Sequence, residues 1–240
     1  MALYRDEGVV LKTVKLGEAD RIITLLTRRH GKVRAVAKGV RRTKSRFGGR
    51  LEPFMRCDLL IAEGRSLDVV SQAASLAAYA APICGDYAAY TAANVMVETA
   101  DKIVSTEHEP AQRQYLLLIG ALAALARAKH PAEAIGDSFL MRSLSLAGWS
   151  PRLSSCVVCG TRDDLVYFSI ASGGVMCASD HTPDAKRVDI NVREQLEALV
   201  EGDWSVLDST PLNGDTRRLV EEWGEYYLER PIRSMRLLDS

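Results

Sequence analysis

The sequence contains no hydrophobic segment long enough to cross a membrane. Its longest apolar run extends from Leu116 to Leu125 and is interrupted by Gly120, whereas a membrane-spanning helix needs about 20 apolar residues. The first residues, Met1–Glu7, include charged side chains and lack the apolar core of a signal peptide. We therefore expect a soluble, cytoplasmic protein.

Common catalytic motifs are also absent. The chain has no G-x-x-x-x-G-K-[ST] phosphate-binding loop, no G-x-G-x-x-G dinucleotide fingerprint and no G-x-S-x-G nucleophile elbow. His30, His108 and His130 are isolated from other candidate catalytic residues, and no pair of carboxylates has a catalytic spacing. These absences predict that the protein is not an enzyme.

Cysteine is scarce: the chain has five, and this odd number without an export signal argues against a disulfide framework. Cys57 falls in a strand pattern and Cys84 at the start of a helix pattern, so we expect both to be small buried hydrophobic residues. The other three, Cys156, Cys159 and Cys177, fall within 22 residues. This clustering predicts a metal site.

The spacing around these three cysteines indicates zinc. Cys156 and Cys159 form a C-x-x-C pair. Seventeen residues separate Cys159 from Cys177, and His181 follows Cys177 in a C-x-x-x-H arrangement. Thiolates and an imidazole suit the tetrahedral coordination of Zn²⁺, and four protein ligands leave no open position, which is typical of a structural site. Asp180 is an alternative fourth ligand. A turn at Gly173-Gly174 would return the chain to the first pair.

Charge is distributed unevenly, although the net charge is zero. Residues 1–80 hold 16 Lys and Arg against 8 Asp and Glu, whereas residues 81–240 hold 15 against 23. Residues 28–50 contain ten cations and no acidic residue, a pattern that predicts binding to a polyphosphate backbone. The ten are Arg28, Arg29, Lys32, Arg34, Lys38, Arg41, Arg42, Lys44, Arg46 and Arg50.

Aromatic residues that could stack on bases are rare in this basic stretch. Phe47 lies between Arg46 and Gly48 and is the stacking candidate, whereas Phe54 is assigned to the core. Residues 39–49, from Gly39 to Gly49, are expected to form a flexible basic loop.

Residue periodicity divides the chain into two parts, an α+β multidomain arrangement. Residues 1–80 contain five strand patterns, the number found in an OB-fold barrel, although an SH3-like barrel fits the same count. Residues 81–240 are predicted to form a helical domain with an inserted zinc-binding segment over residues 150–188. The strands are Gly8–Val14, Arg21–Thr27, Lys32–Ala37, Arg56–Ile61 and Leu67–Val70, with a short one at Leu165–Phe168; the helices are Ala88–Val104, Ala111–Lys129, Ala132–Leu146, Asn191–Val200 and Asp215–Leu228, the last two capped by Asn191 and Asp215.

Several segments resemble the RecO family of bacterial DNA repair proteins. The most specific is the basic run Lys38-Gly39-Val40-Arg41-Arg42-Thr43-Lys44-Ser45-Arg46. The resemblance continues through Leu51–Phe54, Phe139–Arg142, Leu146–Trp149 and the cysteine segment, and ends at Tyr227-Leu228 and Arg233-Ser234. It therefore covers nearly the whole chain.

The resemblance implies an OB-fold, a helical domain and a zinc-binding segment. It also implies a nucleoid-associated recombination mediator that binds single- and double-stranded DNA, anneals complementary strands, and acts with RecR and the single-strand-binding protein to help RecA load. Many relatives have four cysteines where this chain has His181 in the last position, and some lack the metal.

A partner surface for the single-strand-binding protein is a further implication of the resemblance. The acidic, apolar tail of that protein would need an apolar groove lined by cations, and the third helical region offers such residues, unless its leucines are ordinary core. The candidates are Arg113, Leu116, Leu117, Arg127 and Lys129, with Leu122 nearby.

Two other functions stay open. A zinc-dependent nucleic-acid enzyme, such as a deaminase or nuclease, would need a Glu near the metal, and none occurs between Cys156 and His181. An RNA-binding OB-fold protein is chemically compatible, because a basic surface accepts either polymer.

Overall fold

The structure is a computed structural model that describes residues 2–229, Ile232 and Ser234. Arg233, which contributes to the resemblance above, lies outside the described residues. The chain forms two compact units, Met1–Lys129 and His130–Ser240. None of the described helices combines the length and apolar character that crossing a membrane requires.

Five strands form the sheet of the first unit. They are β1 (Leu3–Leu16), β2 (Asp20–Thr27), β3 (Gly31–Ala37), β4 (Met55–Ala62) and β5 (Asp68–Ala78). The strand order β1-β2-β3-β5-β4 closes into a barrel, because β1 pairs antiparallel with both β2 and β4. The predicted five-stranded sheet is confirmed, with β1 and β5 longer than the sequence patterns indicated.

Alternation along the strands explains which side chains fill the barrel. In β3, Val33, Ala35 and Ala37 are fully buried, while Arg34 between them is exposed. Apolar residues of the other strands complete the same core, among them Val10, Ile23, Leu25, Leu59 and Ile61. Phe54 is also buried, as predicted.

Three helices follow the barrel within the first unit. They are α1 (Ala80–Cys84), α2 (Tyr87–Ile103) and α3 (Gln112–Ala126); the short α1 was not predicted. Tyr115 of α3 is fully buried, and its hydroxyl group accepts a hydrogen bond from Arg56 Nε (3.1 Å) and donates one to Glu7 Oε2 (3.2 Å). Arg56 also pairs directly with Glu7 at 2.6 Å. These bonds tie α3 to the barrel strands β1 and β4.

The transition from strands to helices falls near residue 80, as the periodicity indicated, but the compact unit continues to Lys129. A second tie supports this extension. Lys32 of β3 donates to the backbone carbonyl of Asp101 in α2 (2.7 Å) and pairs with its carboxylate (2.5 Å). Whether residues 1–80 are an independent domain stays a prediction.

The second unit contains four helices and a small sheet. The helices are α4 (Ala132–Leu146), α5 (Ile190–Glu201), α6 (Trp204–Leu207) and α7 (Gly214–Leu228). Helix α4 packs against α5 and α7, and Phe139, Leu140 and Trp223 are buried. Strands β6 (Leu165–Ser169), β7 (Gly174–Cys177) and β8 (Lys186–Arg187) form a sheet in the order β7-β6-β8.

The two predicted helix caps are displaced by two residues. Asp189, not Asn191, is the N-cap of α5, and Asn213, not Asp215, is the N-cap of α7. The Asn213 side chain accepts a hydrogen bond from the backbone N–H of Asp215 (2.9 Å), the interaction that favours Asn at this position.

Candidate nucleic-acid interface and metal centre

The basic loop between β3 and β4 is anchored in the barrel by three apolar side chains. Val40, Phe47 and Leu51 belong to the barrel core, and the latter two are each 1% exposed. A 3₁₀ turn over Gly48–Leu51 brings the chain back toward β4. Burial of these side chains anchors the two ends of the predicted basic loop in the barrel; the flexibility of the residues between them stays a prediction.

Hydrogen bonds to the β1–β2 turn fix the start of this loop. The backbone N–H of Gly39 donates to Asp20 Oδ1 (2.7 Å), and that of Arg41 donates to the carbonyl of Ala19 (3.0 Å). The Arg41 guanidinium donates to the carbonyl of Glu18 (2.9 Å). Arg41 is thus held over the turn, while its side chain remains accessible to solvent.

Nine of the ten predicted cations of residues 28–50 are exposed. The exception is Lys32, whose side chain is 13% exposed. It forms an ion pair with Asp101 and is therefore not accessible to a ligand. Arg28 pairs with Glu7 and Arg34 with Glu107, at 3.1 and 3.3 Å. Among residues 2–229, no acidic side chain forms an ion pair with the remaining seven: Arg29, Lys38, Arg41, Arg42, Lys44, Arg46 and Arg50.

Phe47 is not available for base stacking, and this part of the prediction is wrong. Its side chain faces the barrel core, and the Arg46 guanidinium lies 4.8 Å from the centre of its ring. A Phe flanked by Arg and Gly in sequence looked accessible, but the loop needs an apolar anchor at that point. Without Phe47, the described surface of residues 28–50 offers cations and no exposed Phe, Tyr or Trp.

Lys12 is a candidate contact that sequence analysis missed. The sheet register pairs Lys12 of β1 with Thr24 of β2, and Thr24 with Arg34 of β3. Lys12 and Arg34 are both exposed and lie on either side of Thr24, in one row across the three strands. The alternation of β1 indicates that Lys12 is exposed. Only the strand register shows which residues of β2 and β3 lie beside it.

In the second unit, the structure brings the three predicted cysteines together. The Sγ atoms of Cys156, Cys159 and Cys177 lie within 4.8 Å of one another, and those of Cys159 and Cys177 are 3.7 Å apart. A tetrahedral ion with sulfur ligands at about 2.3 Å would place its sulfurs roughly 3.8 Å apart. This donor set therefore fits a thiophilic metal ion.

Backbone hydrogen bonds shape the cluster. The N–H of Val157 donates to the carbonyl of Val175 in β7 (2.9 Å), which joins the C-x-x-C turn to the strand that carries Cys177. Gly160 has a φ of +78°, the left-handed conformation that glycine adopts readily after such a turn. Desolvation opposes ionisation of Cys156, but backbone N–H groups, first that of Cys159, outweigh it and lower its pKa to about 6. A thiolate, the form that binds metal, is favoured.

His181 is not placed with the cysteines. Its ring stacks on Tyr167 with 3.9 Å between ring centroids, and its Nδ1 lies 3.0 Å from the carbonyl oxygen of Ala178. Asp180 instead directs Oδ2 to within 3.6 Å of Cys177 Sγ. Asp180 thus contacts Cys177, but its carboxylate lies outside the group formed by the three thiols, and the fourth ligand stays a prediction.

Helix α3 presents only part of the predicted partner surface. Leu116 is 48% exposed, Leu117 is half-buried, and Leu122 is buried in the core. The predicted cations near the two ends of the helix, Arg113, Arg127 and Lys129, are exposed. The helix thus carries an accessible leucine between exposed cations.

The two remaining cysteines differ from each other. Cys57 is fully buried, as predicted, and burial raises its pKa to about 11. Cys84 is exposed, which contradicts the prediction, because the short α1 ends there and leaves its last residue at the surface.

Comparisons with known proteins agree over the whole chain. Residues 1–79 match the family model "Recombination protein O N terminal", and residues 84–236 match "Recombination protein O C terminal". A Bifidobacterium longum protein named "DNA repair protein RecO" is 70% identical over 240 residues, with both chains fully covered. Proteins of the same name from Streptomyces griseus and Thermobifida fusca are 44% and 46% identical, with full coverage of this chain and 100% and 99% of theirs.

The buried position of Phe47 can be tested by truncation. Phe47→Ala should lower the free energy of unfolding by about 3–5 kcal/mol, because a core aromatic is replaced by a cavity. Urea denaturation of the full chain measures this loss, and Tyr87→Ala, at a side chain that is 65% exposed, is the matched control. Unchanged stability of the Phe47 variant would contradict its assignment to the core.

Proposed function

Because the chain belongs to the RecO family of DNA repair proteins, we propose that it is a recombination mediator that binds DNA through the basic surface of residues 28–50. In this role it binds single- and double-stranded DNA, anneals complementary strands and helps RecA load onto DNA coated by the single-strand-binding protein, together with RecR, at the nucleoid. The family names describe repair and recombination and no catalytic activity.

The observation that carries the proposal is the set of exposed cations without acidic partners on an anchored loop. Seven such residues occur from Arg29 to Arg50: six lie in the β3–β4 loop, from Lys38 to Arg50, and Arg29 lies in the β2–β3 turn. Cations in this arrangement repel one another unless a polyanion neutralises them, and phosphate contacts of this kind supply affinity without reading sequence. The closed five-stranded barrel supports an OB-fold assignment, and the pair Lys12 and Arg34 extends the basic surface onto the β2–β3 face that OB-folds use.

Replacing the loop cations tests the binding surface. Arg41→Ala, Arg42→Ala, Lys44→Ala and Arg46→Ala combined should weaken binding to single-stranded DNA and flatten its salt dependence, because each lost phosphate contact removes about 0.7 from the log–log slope. Fluorescence anisotropy with a labelled oligonucleotide at several salt concentrations measures both quantities.

A matched control removes the same charge elsewhere. Arg152, Arg162, Arg187 and Arg218 are exposed in the second unit, and their combined replacement by Ala should leave the salt slope unchanged. Equal weakening by both quadruple variants would mean that net charge, not the loop, governs binding. Competition by single-stranded RNA in the same assay decides between a DNA and an RNA ligand.

Strand annealing should need no nucleotide. Base pairing supplies the driving force, and the obstacle is repulsion between two phosphate backbones, which exposed cations reduce. Since Phe47 is buried, residues 28–50 offer no exposed Phe, Tyr or Trp to sequester bases, so base edges stay free to pair. We expect the protein to accelerate duplex formation from two labelled strands equally with and without ATP, and rising salt to suppress the effect. A strict ATP requirement would refute this mechanism.

We propose that the cysteine cluster binds a structural Zn²⁺. Three thiolates from Cys156, Cys159 and Cys177 with an oxygen of Asp180 would complete a tetrahedral set without an open position, which opposes the alternative of a zinc-dependent enzyme. The ion would cross-link the C-x-x-C turn to β7. Such a cross-link would stabilise a segment that is too small to have a core of its own.

Metal analysis tests this site and its fourth ligand. The purified chain should contain about one zinc, Cys156→Ser and Cys177→Ser should lose it and destabilise the second unit, and Asp180→Ala, as loss of a ligand, should lower zinc affinity at least about tenfold. His181→Ala is the matched neighbour and should retain the metal. If His181→Ala releases zinc while Asp180→Ala retains it, the assignment of Asp180 is wrong.

We also propose that α3 contacts the acidic, apolar tail of the single-strand-binding protein. Exposed Leu116 between cations such as Arg113 and Arg127 provides the two features that such a tail requires. A combined Arg127→Glu and Lys129→Glu variant should bind a fluorescent tail peptide at least about tenfold more weakly. The control, Arg162→Glu with Arg187→Glu, should bind as the parent does. Unchanged affinity of the α3 variant would exclude this surface.

A further inference from the structure

One carboxyl group of the second unit is buried without a hydrogen bond to its outer oxygen. Asp137 lies in α4 and is 3% exposed, and among the described residues no group donates a hydrogen bond to its Oδ2 atom. The next residue, Ser138, is also buried, but its hydroxyl group donates to the carbonyl oxygen of Leu199 (2.9 Å). A buried carboxylate that lacks such partners is costly in free energy, whereas the neutral acid is tolerated.

The charged groups around Asp137 do not compensate a negative charge there. Glu133 lies one turn earlier in α4, and Arg217 and Glu221 belong to α7, which packs against α4. The Arg217 guanidinium pairs with Glu133 at 3.6 Å, so this cation is shared with another carboxylate. Helix α5 also packs against α4, and its buried residues are uncharged. The cluster at the α4–α7 interface therefore favours a protonated Asp137.

We propose that Asp137 is a proton-linked switch in the packing of α4 against α7. With the proton bound, the side chain is neutral and fits its buried position. When the proton leaves, a negative charge is confined between two helices beside Glu133 and Glu221, and the packing of the second unit is weakened. This inference concerns the second unit alone and does not depend on the proposed DNA binding.

The switch operates below and up to neutral pH. Burial, opposed by Arg217 and reinforced by Glu133 and Glu221, raises the pKa of Asp137 from 3.8 to about 7. Between these two values the folded chain holds a proton that the unfolded chain has released. The second unit therefore loses stability as the pH rises, by about tenfold in the unfolding equilibrium constant per pH unit. Below this range both states are protonated and above it both are ionised, so the dependence ends at each limit.

Urea denaturation followed by tryptophan fluorescence tests the switch. The three tryptophans of the chain, Trp149, Trp204 and Trp223, all belong to the second unit and report its unfolding. Asp137→Asn removes the ionisable group with little change in volume. From about pH 5 to about pH 7, the unfolding equilibrium constant of the parent should rise at least about tenfold more than that of this variant. Glu194→Gln, at an exposed position of α5, is the matched control and should keep the parental pH dependence.

The readout is a pH dependence, so a uniform loss of stability in a variant does not affect it. Asp137→Ala is a second variant without the ionisable group and should show the same weaker dependence as Asp137→Asn. The inference is overturned if the ratio of the parent and Asp137→Asn constants stays within about threefold over this pH range, or if Asp137→Ala keeps the full parental dependence. Either result leaves the DNA-binding proposal untouched, because the basic loop belongs to the first unit.

Discussion

The first unit depends on β1 pairing with two different strands. Residues 3–9 of β1 pair with β4, and residues 8–16 pair with β2, with a register shift between Val10 and Lys12 where the strand bends. Gly8 lies where both ladders overlap, and a Cβ atom there would come within 3.1 Å of Leu59 and 3.3 Å of Thr27. A side chain at this position would have to displace Leu59 or Thr27 by a few tenths of an ångström, at the point where the two ladders of β1 meet.

The closed core of the barrel anchors the β3–β4 loop, and this allows the loop to carry several positive charges close together. Fully burying an apolar side chain such as Phe47 or Leu51 contributes about 1.5–3 kcal/mol, which offsets the repulsion among the cations that flank them. The loop therefore presents its charge from a fixed frame, and less ordering entropy is lost when a phosphate backbone binds. The same packing places the loop beside β5.

The second unit has a different constraint, because its sheet is small, although Leu165, Phe168, Val175 and Met176 are buried. Strands β6, β7 and β8 have five, four and two residues. Phe168 of β6 packs against Trp223 of α7, with 5.7 Å between ring centroids, which joins the sheet to the helices. The cysteine cluster joins the C-x-x-C turn to β7 at the other side of the hairpin. A metal there would supply the cohesion that this segment lacks in hydrophobic contacts.

The sequence alone determined the strand-to-helix transition near residue 80 and four of the five main helices to within one residue at each end. It also determined the cysteine cluster and the family. These features follow from periodicity, spacing and local motifs, which are properties of neighbouring residues. It placed the α3 end at Lys129 rather than Ala126 and gave β5 four residues rather than eleven. It also assigned Phe47 to bases, Lys32 to phosphate and His181 to the metal. Tertiary structure decided the surroundings of these side chains, since each depends on a distant group: the barrel core for Phe47, Asp101 for Lys32, and Tyr167, on which the His181 ring stacks. Local pattern specifies which residues can form an element, but the contacts a side chain makes are settled only when elements far apart in the chain pack together.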